Sequence, residues 1–263
     1  MRSFGWLADP PDQRDADHGI LCAELELSTE SSANLRWQVG APLDQGRLGS
    51  CTSQAVAKGI YAAHRRQGIS SPDHISRLAL YYLARAVIRK QHQHSGCYIR
   101  DGFKVINTFG FCPEWVWPYS DEPGADGDFL RMPPTSSFRR SFDQRGSGQQ
   151  PARYSRLMDT GQDRIDSVKQ LLREGKPVIF GTNVSNAFAE DQLPSGPIGP
   201  PAGDIAGGHA MVICGFEGDS FDILNSWGED WGDLGWCTFS ADYIAWSATR
   251  DLWTVDVTPG FGR

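Results

Sequence analysis

One cysteine, set where a glycine-broken loop gives way to a helical pattern, constrains this chain more than any other feature. Gly46 and Gly49 interrupt the stretch Asp44-Gln45-Gly46-Arg47-Leu48-Gly49-Ser50-Cys51, and apolar residues then recur with helical spacing at Val56, Ile60 and Ala63. The spacing predicts a helix opening at Cys51 and stopping before Gly68, with Arg65 and Arg66 in its last turn. A thiol at a helix N-terminus faces unpaired backbone N–H groups and the positive end of the helix dipole. Both favour the thiolate, so the position is expected to lower the Cys51 pKa and make a nucleophile. A lone cysteine in such a place is more often a small buried residue. Two later stretches shift that balance: Gly207-Gly208-His209-Ala210-Met211-Val212 and Leu224-Asn225-Ser226-Trp227-Gly228. The chemistry-bearing residues therefore run in the order Cys, His, Asn.

With those motifs in place, the chain resembles the papain-like cysteine peptidases over about Leu35 to Val257. The family pattern has a glutamine six residues before the nucleophile, where this chain has Gln45, a histidine opening an apolar strand, met by His209, and an Asn-Ser-Trp-Gly turn, met by Asn225 to Gly228. The resemblance implies an α+β, two-lobed fold with a mainly helical lobe, a β-rich lobe and the active-site cleft between them. It implies peptide-bond hydrolysis by a Cys51–His209–Asn225 triad, with Gln45 beside the Cys51 N–H as the oxyanion hole and Trp227 shielding the His–Asn bond. Gly49, Ser50, Arg100, Asp101, Gly208 and Trp227 are the candidate substrate-binding residues. The implied partners are a protein or peptide substrate and a proteinaceous inhibitor; no cofactor and no metal are called for.

The sequence also departs from the family. Secreted members carry a cysteine three residues before the nucleophile, where this chain has Leu48, and many relatives have an aromatic residue directly after it, where this chain has Thr52. A glycine pair that docks the substrate backbone has its nearest equivalent in Gly96-Cys97-Tyr98-Ile99-Arg100-Asp101-Gly102, which places Arg100 and Asp101 near the cleft. These departures keep two other readings open: a non-catalytic binding module on the same fold, and a related acyl-transfer enzyme such as a transpeptidase or deamidase.

Composition bounds the rest. With 263 residues and a net charge of −7 in interspersed acids and bases, the chain can bury a sizeable core and lacks the basic footprint of a nucleic-acid binder. No apolar run nears the roughly 20 residues that span a bilayer, and the opening Met1-Arg2-Ser3-Phe4-Gly5-Trp6-Leu7-Ala8-Asp9 does not read as a secretory signal, so a cytoplasmic protein without membrane contact is expected. The six cysteines are then expected to be reduced, with Cys214 and Cys237 as core thiols.

In chain order, residues 1–34 read as an N-terminal strap, too short for a conventional inhibitory prodomain, so control of activity is expected to lie elsewhere. Residues 35–263 form the peptidase domain, with the helical lobe over about 45–120 and the β-rich lobe over about 150–257. Helices are predicted over Ser76 to Lys90, from Ile99 to Gly110, and from an Asp163 cap to Glu174. His92, His94 and Cys97 lie between the first two, without a second cluster to complete a metal site. Ser120 to Gln150 reads as an irregular surface excursion. Strands are predicted at Val178–Thr182, His209–Phe216, Phe221–Asn225 and Trp236–Phe239. The Pro- and Gly-rich run from Val184 to Gly208 is expected to border the cleft and gate it.

Overall fold

A computed structural model describes residues 2–21, 30–68, 75–121, 129–146 and 152–257. Cys22 and parts of the 120–150 stretch lie outside the described residues. In chain order the elements are α1 (His18–Leu21), β1 (Ser32–Asn34), α2 (Arg36–Val39), α3 (Cys51–Arg66), α4 (Arg77–Val87), α5 (Ile99–Phe109), a 3-10 turn (Glu114–Val116), α6 (Thr135–Gly146), β2 (Ala152–Leu157), α7 (Gly161–Arg173), β3 (Val178–Ser185), α8 (Asn186–Ala189), β4 (Ile205–Glu217), β5 (Ser220–Leu224), β6 (Trp236–Ser240), α9 (Ala241–Ala245) and β7 (Arg250–Val257). The strands pair antiparallel in the order β2-β7-β3-β4-β5-β6, and β1 adds to β4.

Two lobes meet along α3. Its residues Ala55, Val56, Ala57, Ile60, Ala62 and Ala63 are buried, and their small size lets the helix lie close to the sheet. At Gly59 the approach is tightest: a Cβ there would run into Ile179 of β3 and come within 3.3 Å of Val255 of β7. The sheet is covered on both faces, and successive side chains divide between them. Ile179, Ala210, Val212 and Cys214 face α3 and the helical lobe, whereas Val178, Phe180, Met211 and Ile213 face a second core with α7 and α9. This is why the β4 sequence reads as an unbroken apolar run rather than an alternation.

The predicted helices over the first lobe form, with Ser76 capping α4 by accepting a hydrogen bond from the Ala79 N–H at 3.2 Å. Three expectations are corrected. The stretch around 120–150 contains α6, whose low hydrophobicity hides its period; Phe138 nonetheless packs edge-on against Phe109 of α5. Helix α7 starts two residues before Asp163, after Thr160, and no side chain caps it; Asp163 sits in its first turn instead. Strand β4 begins at Ile205, so His209 lies inside the strand, paired with Thr182 of β3, rather than opening it.

Candidate active site

Cys51 is the first residue of α3 and has no accessible surface. The loop leading to it is fixed on several sides. Gln45 N–H donates to the Ser226 carbonyl at 2.9 Å, Gly49 N–H donates to His94 Nε2 at 2.6 Å, and the Ser50 hydroxyl meets the Tyr119 hydroxyl at 2.5 Å. Ser50 is thus fully buried and turned toward Tyr119 and Gln54. Around the thiol itself stand the backbone N–H groups of Ala210, Gly5 and Thr52 and the Thr52 hydroxyl.

His209 and Asn225 come together from β4 and the residue just after β5. His209 Nε2 lies 2.7 Å from Asn225 Oδ1. That oxygen also accepts the Ser226 N–H at 2.7 Å. An oxygen can only accept here, so Nε2 carries the proton and Nδ1 holds a free lone pair. Nδ1 is buried without a hydrogen-bond partner among the described residues. The Trp227 ring stacks on the imidazole at 4.4 Å between centroids and 27° between planes, covering the His–Asn bond. Trp231 packs edge-on to Trp227 in the second core.

Gln45 is fully buried and held by its own oxygen: Ser226 Oγ donates to Gln45 Oε1 at 2.7 Å. This leaves Nε2 to donate to the Leu48 carbonyl and to the Ser3 carbonyl, both at 2.8 Å. The second bond was not foreseen from sequence, because Ser3 belongs to the N-terminal strap.

That strap runs through the site. Phe4 packs edge-on against both His209 and Trp227, at 6.3 and 6.2 Å. The Gly5 carbonyl accepts from Cys97 N–H at 2.9 Å, Leu7 N–H donates to the Cys97 carbonyl at 3.2 Å, and Trp6 N–H donates to the Gly208 carbonyl at 3.2 Å. Thr52, standing where relatives carry an aromatic, directs its hydroxyl at the Gly5 and Cys97 carbonyls at 3.3 Å. Passage is possible only because the chains cross at glycines. A Cβ at Gly5 would overlap the Gly49 carbonyl, and Cβ atoms at Gly181 and Gly208 would overlap Trp6.

Gly49, Gly208 and Trp227 therefore lie against the strap, but Arg100 and Asp101 do not line the cleft. The backbone of the strap docks on Cys97 instead. Arg100 is buried at the start of α5, 2.9 Å from Asp15, and Asp101 pairs with Lys104 at 3.4 Å. Arg100 belongs to the anchor of the strap's far end. There, Asp251 Oδ2 accepts the Asp9 N–H at 2.7 Å and the Trp6 indole N–H at 3.1 Å, while Trp253 donates to Asp9 Oδ2 at 2.9 Å. Arg156 bridges Asp251 and Asp15.

Burial reverses the electrostatics expected of Cys51. Burial raises the Cys51 pKa above its ordinary value, against the lowering pull of the surrounding N–H groups. Burial also pushes His209 down to about 4, with the Asn225 bond opposing and Arg2 adding to the shift. Closed in this way, the pair is a neutral thiol and a neutral imidazole.

Cys51, Cys97, Cys112, Cys214 and Cys237 are all buried free thiols. Among the described residues no group of three or more His, Cys, Asp or Glu could hold a metal ion, and no helix is long and apolar enough to cross a membrane. In the middle of the Pro- and Gly-rich run, Ile198 pairs its backbone with Thr238 and Ser240 at the edge of β6. Only its ends reach the site, where Asn186, Ala189, Glu190 and Ala206 line a cavity of about 900 Å³ with Arg2, Phe4 and Asp44.

Comparison with known proteins places this geometry. The profile of the papain family cysteine proteases matches residues 30–249. An uncharacterised peptidase C1-like protein of Acanthamoeba polyphaga mimivirus is 31% identical over 97% of this chain and 86% of its own length. A cysteine protease of Blomia tropicalis is 26% identical over 77% of this chain and 59% of its own. Among solved structures, xylellain, a cysteine protease from Xylella fastidiosa, superposes with a TM-score of 0.80 at 28% identity, covering 97% of this chain and 96% of that one. The procathepsin L 3 of Tenebrio molitor larval midgut shares the fold at a TM-score of 0.67 and 16% identity, over 92% and 74% of the two chains. With most of its length matched by the family and its lobes arranged in the same way, this chain belongs to the papain family of cysteine proteases.

Proposed function

We propose that the chain hydrolyses peptide bonds with Cys51 as nucleophile, His209 as its acid–base partner and Asn225 as the residue that orients the imidazole, and that residues 2–9 hold this machinery closed. The observation that carries the reading is the His209–Asn225 bond, which fixes the proton on Nε2 and leaves Nδ1 as a base. In the reaction, the Cys51 proton passes to Nδ1 and the thiolate attacks the substrate carbonyl. The oxyanion is held by Gln45 Nε2 and the Cys51 N–H, and the imidazolium protonates the departing amine. Water, deprotonated by the same nitrogen, then cleaves the thioester. Gln45 already donates to a peptide carbonyl, that of Ser3, which supports its role as an oxyanion donor.

The strap supports latency rather than permanent inactivity. It blocks the thiol through main-chain contacts to Cys97 and Gly208 that a substrate main chain could replace, and these backbone bonds do not involve the triad side chains. In this reading the strap does what a longer inhibitory segment does elsewhere in the family. The test is a peptide-library assay in a full-length Gly5→Ala chain, whose strap cannot seat. Cys51→Ala and His209→Ala in that background should abolish cleavage, and Asn225→Ala should leave a measurable remnant because the orienting residue is not consumed in bond-making. Peptide binding without cleavage in the Gly5→Ala chain would make the binding-module reading the better one.

A further inference from the structure

Two histidines in the loop between α4 and α5 are not used by the triad, and one of them reaches the nucleophile's own loop. His94 Nε2 accepts the Gly49 N–H at 2.6 Å, two residues before Cys51. An imidazole nitrogen that accepts a hydrogen bond carries no proton, so the bond exists only with neutral His94. The ring is set from behind. It lies 5.1 Å from the Phe129 ring. Arg85, a fully buried residue of α4, donates its guanidinium N–H groups to the carbonyls of Gln91, Gln93 and Phe129. A buried cation satisfied by carbonyls thus fixes both the loop that carries His94 and the aromatic ring beside it. Three residues on, the same loop presents Cys97, whose backbone pairs with the peptide lying in the cleft. The loop therefore touches the docked main chain at one end and the approach to the nucleophile at the other.

We propose that His94 is a positioning residue for Cys51: its neutral ring holds Gly49, and through it Ser50, which leads into the nucleophile, and a proton on Nε2 releases them. The inference rests on the peptidase reading for its kinetic consequence, but not for the bond itself. Burial first, and the Arg85 charge second, hold the His94 pKa below its ordinary value. Arg85 is the charged group acting on it among the described residues. The neutral, bond-accepting form is accordingly the one present at neutral pH, and the bond is lost as pH falls through that depressed pKa. Release turns a donor–acceptor contact into two opposed donors, so the loop must move and not merely loosen.

The test compares full-length Gly5→Ala chains carrying His94, His94→Ala or His94→Gln. Cleavage of a fluorogenic peptide is followed from pH 5 to 8, with the alkylation rate of Cys51 by iodoacetamide as a second readout. His94→Ala should lower kcat about tenfold with little change in KM, since small displacements of a reacting group cost rate more than binding. His94→Gln should recover most of that loss, because its amide oxygen can accept the Gly49 N–H, and it should lack the additional fall in kcat that the His94 chain shows on acidification. Equal kcat and equal acid limbs in all three chains would overturn the proposal. So would equal impairment of the Ala and Gln variants with parallel losses of melting temperature, which would mark His94 as merely structural. If no peptide is cleaved by any chain but Cys51 alkylation still follows the order His94, Gln, Ala, the peptidase reading falls while His94 stands. If peptides are cleaved and neither readout distinguishes the variants, the role of His94 falls alone.

Discussion

Adding one methyl group to Gly5 should switch the enzyme on. A Cβ at this position meets the carbonyl of Gly49, a backbone atom of the nucleophile loop that cannot swing aside as a side chain could. The strap must therefore lift where it crosses the thiol. Three backbone bonds hold it there: Cys97 N–H to Gly5, Leu7 N–H to Cys97 and Trp6 N–H to Gly208. At a net value of about 0.5–1.5 kcal/mol each, losing them weakens docking by about 3 kcal/mol. Tenfold corresponds to about 1.4 kcal/mol, so the open fraction rises by up to about 100-fold, and kcat/KM for a small peptide rises with it until the chain is mostly open. The gain should appear without global unfolding, because Asp9 and the arginine cluster still tether the strap beyond the crossing. The assay is initial-rate cleavage of a fluorogenic peptide by wild-type and Gly5→Ala chains, with Cys51 alkylation measured in parallel and melting temperature as control. A folded Gly5→Ala chain with wild-type rates in both assays would refute the idea that the strap closes the site.

Beyond the triad series and the His94 variants, two further outcomes are expected. Burial, then repulsion from Asp251, raises the Asp9 pKa to about 7 while the strap is docked. The docked form therefore holds a proton that the released form gives up, and docking weakens as pH rises from the ordinary carboxylate range to about 7. Wild-type activity, expressed relative to the Gly5→Ala chain to cancel the triad's own titration, should climb across that window, and Asp9→Asn should flatten the climb; an unchanged slope in Asp9→Asn would count against it. At the lobe interface, Gly59→Val should destabilise the protein by about 2 kcal/mol, because its side chain must displace Ile179 and Val255 in a packed core. Thermal unfolding by circular dichroism reads this directly, and an unchanged melting temperature would show that α3 sits less tightly on the sheet than described.

The parts of the candidate site legible in the sequence were those whose proposed roles fix local sequence as well as three-dimensional place. Cys51 had to begin a helix, His209 needed an apolar strand around it, and Asn225 needed a turn with Trp227 behind it; each leaves a pattern a few residues long. The α3, α4 and α5 helices could be read because their apolar faces are regular. Helix α6 could not, since its residues are mostly polar and, among its described side chains, the one large apolar contact comes from Phe138. Strands β2 and β7 were missed for a related reason. Their sequences, Ala152-Arg153-Tyr154-Ser155-Arg156-Leu157 and Arg250-Asp251-Leu252-Trp253-Thr254-Val255-Asp256-Val257, are broken by charges, two of which, Arg156 and Asp251, belong to a buried ion-pair cluster rather than to solvent. The same cluster misled the reading of Arg100 and Asp101. Near the catalytic loop in sequence, they look like cleft residues until the fold turns them toward Asp15 and Lys104. The route of the strap left its trace in Gly5-Trp6, a glycine where two backbones cross beside an indole that needs a slot, but only the facing glycines Gly49, Gly181 and Gly208 give that trace its meaning.

The nucleophile's charge state shows why position in a helix was not enough to settle its chemistry. A helix N-terminus favours an anion by about 0.3–1 kcal/mol when exposed and by up to about 2 kcal/mol when partly buried. Removing a thiolate from water without a paired cation costs several kcal/mol, which is the larger quantity. With the strap docked, Phe4 covers the imidazole, Cys51 has no accessible surface, and the thiol stays protonated. His209 cannot supply the missing cation, because the same burial holds it neutral. Withdrawing the strap would change both terms together: water would reach the sulfur, and the His209 imidazole, its orientation already fixed by Asn225, would become able to charge. Closure thus acts on the chemistry as well as on access. A small reagent that slipped past the strap would still meet a neutral thiol, whereas on the proposed mechanism a peptide that displaces the strap would meet an ion pair as it arrives.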